Sequence, residues 1–316
     1  MTIRFFDPLG RGFRRMKKAL FQPFDIRKWF VVGFTAFLAG LTDCHGGSGN
    51  GGGRSRMGRH DLEDLLYFPR EAAAWLSDNP GWFMLIVFGL FVLLIIVIVL
   101  TWLSSRGKFM FLDNVVHDRA QVAAPWYEFK SEGNSLFLWA ITVGFVVIAG
   151  IIAYLVFAYT LLVGVYEISW DPSALIGPAI LLVFGLVLII VIANFVDLML
   201  VDFVVPLMYR SRIGVLAGWK AFLPIFGSQI IYFVGYGLFY MVLSILIVIG
   251  IILGVLLTCC LGLIPLIIPY INAVLLLPVS YALRAFSVEF LEQFGPECKV
   301  FPTAVGGDLA GVESTP

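Results

Sequence analysis

Trp82–Leu103 is a run of 22 residues without a charge, and a helix needs only about 20 apolar residues to cross a bilayer. A helix that is apolar on every face has no side to show to water. Four further apolar stretches follow, Leu136–Tyr166, Ala174–Val205, Ile230–Cys260 and Leu261–Phe286. Charged residues make up 13% of the chain, about half of the ~25% usual in soluble domains. The fold class that follows is all-α, an integral membrane helix bundle of about six transmembrane helices with cytoplasmic amphipathic interfacial helices.

The expected organisation is a cytoplasmic basic segment 1–28, a membrane domain 29–286 and a cytoplasmic tail 287–316. Spans are expected at about 29–43, 82–103, 136–166, 174–203, 229–258 and 261–284, with a Gly-rich outer loop at 44–60. The first segment carries eight basic residues. Asp7-Pro8 reads as an N-cap followed by a proline in the first helical turn. Phe13, Met16 and Leu20 then share one face, with Arg14, Arg15, Lys17 and Lys18 mostly on the other, a pattern suited to an anionic membrane surface. Trp29–Leu41, at 13 residues, is short for a span. The glycine run after it lacks the Gly-Lys-Ser/Thr ending of a phosphate loop.

Charge sets the threading. Short loops rich in Lys and Arg stay cytoplasmic. With six crossings and the N-terminus inside, stretches 1–28, 104–135, 206–228 and 284–316 hold eight, four, three and two basic residues, 17 together, against 4 in the outer pieces. Leaving out the short first span would put all eight N-terminal cations outside. The expected location is therefore the cytoplasmic (inner) membrane of a bacterium, with both termini cytoplasmic. The net charge is zero, so no global field recruits nucleic acid.

Trp126 and Trp219 each stand in a cytoplasmic segment just before a long apolar run, and Trp29 follows the basic helix in the same way. This suggests three units, each an interfacial helix plus a helix hairpin. Tryptophans also mark membrane interfaces in general. In the C-terminal half, Asp202–Tyr209, Trp219-x-x-Phe222, Cys259–Gly262 with Pro269-Tyr270, Leu275–Pro278 and Phe286–Pro296 together resemble a family of bacterial polytopic membrane proteins of unknown function. The resemblance covers about residues 195–302 and implies an inner-membrane protein, without an activity.

Ionisable and polar groups within spans are functional candidates by default. Asn194 lies 20 residues from Ala174, about 30 Å along a helix and so at the inner edge of the hydrocarbon. Asp197 and Asp202 then fall among headgroups, within reach of Arg210, Arg212, Lys220 or Arg284. In the last span Pro265, Pro269 and Pro278 each delete a backbone hydrogen bond, and Asn272 lies between them near mid-membrane. Broken helices of this kind bind substrate in many transporters; a kinked packing helix is the plainer alternative. The candidate polar membrane site is thus Asn272, Pro265, Pro269, Asn194, Asp197 and Asp202. The candidate interfacial anchors are Trp29, Trp126, Trp219, Arg14, Arg15, Lys17, Lys18 and Arg284.

No Ser/His/Asp or Cys/His arrangement offers a nucleophile. His45, His60, Asp43 and Asp61 do not have a metal-ligand spacing, and His117 reads as a solvated surface histidine. Cys44 could bridge to Cys259 or Cys260, or all three could be small packing residues. No cofactor is expected. The sequence supports first a non-enzymatic membrane scaffold or interaction component whose partner is the lipid bilayer, through anionic headgroups. A small-molecule or ion transporter using the broken last helix is second, and a lipid-modifying enzyme third.

Overall fold

The computed structural model describes residues 3–42, 59–169, 172–258 and 266–302, with 59–67, 169, 172 and 173 as backbone alone. Cys44, Cys259, Cys260, Pro265 and most of the expected outer loop lie outside them. Among the described residues the secondary structure is helical throughout: α1 Phe6–Phe21, α2 Ile26–Ala39, α3 Arg59–Asp78, α4 Pro80–His117, α5 Ala123–Glu128 and α6 Lys130–Ser169, then α7 Ile176–Met199, α8 Val205–Ser211, α9 Val215–Ser228, α10 Ile230–Leu257, α11 Pro269–Leu275 and α12 Leu277–Leu291. Four helical runs are long and apolar enough to span a membrane: Pro80–His117, Lys130–Ile168, Ile176–Ser211 and Ile230–Leu257. The pair α11 and α12, bent by 64° at Leu276, makes a fifth if it crosses as one broken span. Their apolar windows are 0–6% buried, so the side chains point outward, as lipid but not water permits. The protein is an all-α membrane protein.

The chain forms two compact units. One comprises Thr42–Trp102 and Phe137–Asp197. Within it α6 meets α7, where the Tyr154 hydroxyl donates to the Leu182 carbonyl at 2.6 Å. Gly185 leaves room for that ring, since a Cβ there would lie 2.5 Å from the Tyr154 oxygen.

The other unit gathers Met1–Leu41, Leu103–Leu136 and Leu198–Pro316. It contains the four stretches that the charge count assigns to a single side, together with α2, α10 and α11. Its centre is the end of α4 (Ser104–Val116, all buried), the stretch Leu200–Tyr209 and α12. Phe286, Phe290 and Phe294, at i, i+4 and i+8, lie on one helical face. They meet Phe203, Phe233 and Tyr236, with Phe233–Phe294 and Tyr236–Phe290 centroids 4.8 Å apart. Residues from Ser287 onward were expected as a tail. Instead Ser287, Val288, Phe290 and Leu291 are fully buried, because the aromatic stripe continues past the last apolar run.

Cys298 closes this core at 2% exposure, and burial pushes its thiol pKa up. Less thiolate and less access both slow alkylation. Maleimide labelling of Cys298, located by peptide mass mapping at pH 8, is expected to be about tenfold slower in folded than in denatured protein.

Helix α1 starts at Phe6, and Asp7 does not cap it; its carboxylate instead takes Arg4 at 3.1 Å. Pro8, Gly12, Met16, Ala19 and Leu20 face inward, against α12, while Phe13 is 57% exposed. The predicted apolar face is therefore rotated, and its stripe is used on protein. Helix α2, at 14 residues about 21 Å long, opens with Asp25 accepting from the Arg27 amide at 2.8 Å. Lys28 at its start pairs with Asp118 (2.8 Å), and Ala39 at its end accepts from Ser104 Oγ (2.8 Å). The expected first span thus runs beside the charged end of α4.

The three central elements end alike. Each closes on a residue with positive φ: Asp118 (50°) after α4, Arg212 (53°) after α8, and Gly295 (148°) after the turn that ends α12. The left-handed conformation costs about 1 kcal/mol for a non-glycine residue, and at Asp118 and Arg212 the side chain is tied by an ion pair. The Trp-bearing helices α5 and α9 follow the first two.

Candidate functional site

Each central element of this unit buries one acid, and each acid meets cations. Asp113 on α4 is 1% exposed. Arg119 grips it through Nε (2.9 Å) and Nη2 (2.7 Å), and the Tyr209 hydroxyl donates to it at 2.8 Å. These bonds hold the Arg119 guanidinium pKa above its ordinary value. His117 Nδ1 lies 3.1 Å from both Asp113 Oδ1 and the Tyr209 oxygen. Tyr209 gives its only hydrogen to Asp113 and a carboxylate only accepts, which assigns the proton to Nδ1. His117 was expected to be merely solvated; it is part of this cluster. Phe129 stacks on Tyr209 (4.7 Å) and lies under the Arg212 guanidinium (3.9 Å). Arg212 in turn pairs with Glu128.

The second acid, Asp202, lies in a single π-helical turn, Leu200–Val204. The Val205 amide reaches back to the Leu200 carbonyl, and Pro206 has no N–H to offer. The Val201 carbonyl is left without a donor from its own helix, and Arg284 Nη1 supplies one at 2.8 Å. The same nitrogen is 3.6 Å from Asp202 Oδ1, while the Tyr236 hydroxyl donates to Asp202 Oδ2 at 2.8 Å. Of the partners considered for Asp202, Arg284 meets it.

Glu289 on α12 is the third, 3% exposed. Arg11 and Arg15 of α1 each donate through Nε at 2.6 Å, one to each carboxylate oxygen. Arg15 also lies over the Phe301 ring at 3.7 Å. Nothing in the local sequence marks Glu289, whose partners are 278 and 274 residues away.

A fourth buried acid, Glu132 in the first turn of α6, is 7% exposed, and its Oε2 has no hydrogen-bond partner. Next to it, Gly133 admits Arg106, whose Cγ would be 2.9 Å from a Cβ there. Arg106 reaches Asn134 Oδ1 at 3.0 Å and lies 4.8 Å over the Trp126 ring.

The predicted anchors divide. Arg14, Lys17 and Lys18 are exposed, whereas Arg15 and Arg284 are turned onto buried acids. Trp29 donates to the Leu20 carbonyl at 2.9 Å and packs on Phe21 (5.5 Å), so it clasps the α1–α2 turn. Trp126 sits under Arg106, and Trp219 lies half-buried 5.9 Å from Phe222.

The predicted polar membrane site is divided between the two units: Asn194 and Asp197 belong to one, Asp202, Pro269 and Asn272 to the other. Asn194 is exposed and donates to the Ile190 carbonyl of its own helix at 2.8 Å; Asp197 is exposed in the same helix. Pro269 opens α11, and the break falls at Leu276. Tyr270 fastens α11 to α2, donating to the Phe30 carbonyl at 3.0 Å, and Gly33 accommodates Val274. Asn272 Oδ1 is buried without a hydrogen-bond partner. Among the described residues no group of three His, Cys, Asp or Glu could hold a metal ion.

No curated protein and no solved structure matches the chain. The motifs of residues 195–302 point to an uncharacterised family, and the similarity extends over both halves of the chain. A family of unknown function, DUF7544, matches residues 4–297, and the chain belongs to it.

Proposed function

We propose that this protein is a non-enzymatic scaffold or interaction component of a bacterial cytoplasmic membrane, crossing it six times with both termini in the cytoplasm. The observation that carries the reading is the gathering of the four cation-rich stretches into one unit, in which Asp113, Asp202 and Glu289 are each neutralised by arginine. The buried charges hold together elements that are far apart in sequence.

The crossing number we propose is supported by contacts inside that unit. Lys28 touches Asp118, so both ends of the stretch between them lie on one side. If α4 crosses once, the chain between Lys28 and Pro80 must also cross once. Arg11 and Arg15 touch Glu289, which fits an even total. With up to five spans from α4 to the bent pair α11–α12, a sixth is proposed between Ala39, which meets Ser104, and Pro80. The excess of cations on that side favours the cytoplasm.

A transporter is the second reading, favoured by the bent last pair and the unpartnered Asn272 oxygen. The two readings separate at that residue. As a packing group, Asn272 leaves a buried acceptor unmade, which costs about 1–3 kcal/mol. Asn272→Leu is expected to melt at or above the wild-type temperature in detergent. In proteoliposomes the wild type is expected to move no solute from an ion and metabolite screen faster than protein-free vesicles. A saturable uptake abolished by Asn272→Leu would overturn the scaffold reading.

A further inference from the structure

The eight N-terminal cations do two different jobs. Arg4 pairs with Asp7, Arg11 and Arg15 with Glu289, and Lys28 with Asp118. Arg14, Lys17, Lys18 and Arg27 make no ion pair among the described residues. Along α1 the steps 6, 10, 13, 17, 21 keep to one face, opposite the buried Pro8, Gly12 and Ala19. That face shows Phe6 at 76%, Phe13 at 57% and Phe21 at 46% exposure, with Lys17 in line and Arg14 and Lys18 beside it. Phe24 (60%) and Ile26 (63%) continue the apolar ridge to Arg27.

Rings interleaved with unpaired cations suit a layer that is apolar just below and anionic at the surface. An acidic protein would meet the cations but leave the outward phenylalanines without an apolar bed. An ordinary solvated helix would keep its phenylalanines on the α12 side. The fixing of α1 matters too. Glu289 holds Arg11 and Arg15, and Gly12 approaches the Phe286 amide so closely that a Cβ would lie 2.9 Å away. The outward face is therefore presented by a seated helix and needs no folding on contact with lipid.

We infer that α1 is a preformed docking face for anionic phospholipid headgroups, with Arg14, Lys17, Lys18 and Arg27 contacting the phosphates and Phe6, Phe13 and Phe24 lying at the acyl boundary. The inference rests on the membrane reading above and adds a lipid class to it.

The test uses the full chain in vesicles of phosphatidylcholine with phosphatidylglycerol, and energy transfer from its tryptophans to trace pyrene-labelled lipid of either class. Each cation seated at a headgroup favours the anionic lipid about fivefold, so the wild type is expected to enrich phosphatidylglycerol next to the protein at least about fivefold. Replacing Arg14, Lys17, Lys18 and Arg27 with glutamine is expected to bring the ratio near one without lowering the melting temperature. The paired change Arg54→Gln and Arg56→Gln, which alters net charge elsewhere, is expected to keep it. Wild-type enrichment that survives the four-residue change, or no enrichment at all, would overturn the docking face and leave the membrane reading standing. Absence of transfer to both lipids would instead show that the protein is not in the bilayer.

Discussion

Replacing Arg11 and Arg15 together with alanine is expected to destabilise the protein by about 3–5 kcal/mol, more than Glu289→Gln. Either change removes the same two ion pairs, each at 2.6 Å, and the difference lies in what is left behind. The arginine side chains are 42% and 44% exposed, and the glutamate 5%. Without Glu289 the guanidinium groups turn to water, and an exposed ion pair is worth only about 0–1 kcal/mol. Without the arginines a carboxylate stays buried, with neither ion pair to offset its lost hydration. Arg15→Ala also removes the contact over Phe301. In detergent, the double variant should melt well below Glu289→Gln, and limited proteolysis should release residues 1–25 first. Equal melting temperatures would mean that Glu289 is wetter than its burial implies.

The second large effect is at Gly107. A Cβ there would lie 2.6 Å from the Ala39 amide nitrogen and 2.6 Å from the Leu38 carbonyl carbon. Both are backbone atoms, so no rotamer change relieves the clash. Gly107→Val must push α2 off α4, breaking the Ser104–Ala39 bond (2.8 Å) and straining the Asn114–Thr35 bond (3.2 Å) behind it. Overpacking costs about 1–3 kcal/mol where side chains can yield, and this site belongs at the top of that range or above. The expected result is a sharp loss of folded protein in size-exclusion chromatography. Gly144→Val, whose Cβ would meet nothing within 4 Å, should behave as wild type.

The sequence revealed most where one chemical property runs on for twenty residues. The apolar runs 82–103, 136–166 and 174–203 appear as helices because hydrocarbon solvent demands uninterrupted apolarity. The break in the last run was legible too, since Pro269 and Pro278 cannot donate within a helix; it falls at Leu276. Asp202 with Arg284 was within reach because both fall at similar depth in neighbouring spans.

Long-range pairs were not legible. Glu289 looks like one of several acids in a C-terminal segment, and only folding brings α1 to it. His117 resembled a surface histidine because Tyr209, which completes its cluster, is 92 residues away. The basic N-terminal helix was recognised, but its face was misjudged. Local periodicity placed Phe13 with Met16 and Leu20, while glycine at position 12 let α12 approach from another angle. Arg14 and Arg15, adjacent in sequence, end in different roles for that reason.

The central claim is that residues 1–28, 104–135, 206–228 and 284–302 share one side of the membrane and that the chain crosses between Lys28 and Pro80. The most direct measurement is paired alkaline phosphatase and fluorescent-protein fusions in cells, made after Gly53 and after Pro302. Phosphatase activity at Gly53 with fluorescence at Pro302 is the predicted pattern. Fluorescence at both positions would put the glycine-rich segment in the cytoplasm with the termini and contradict the threading.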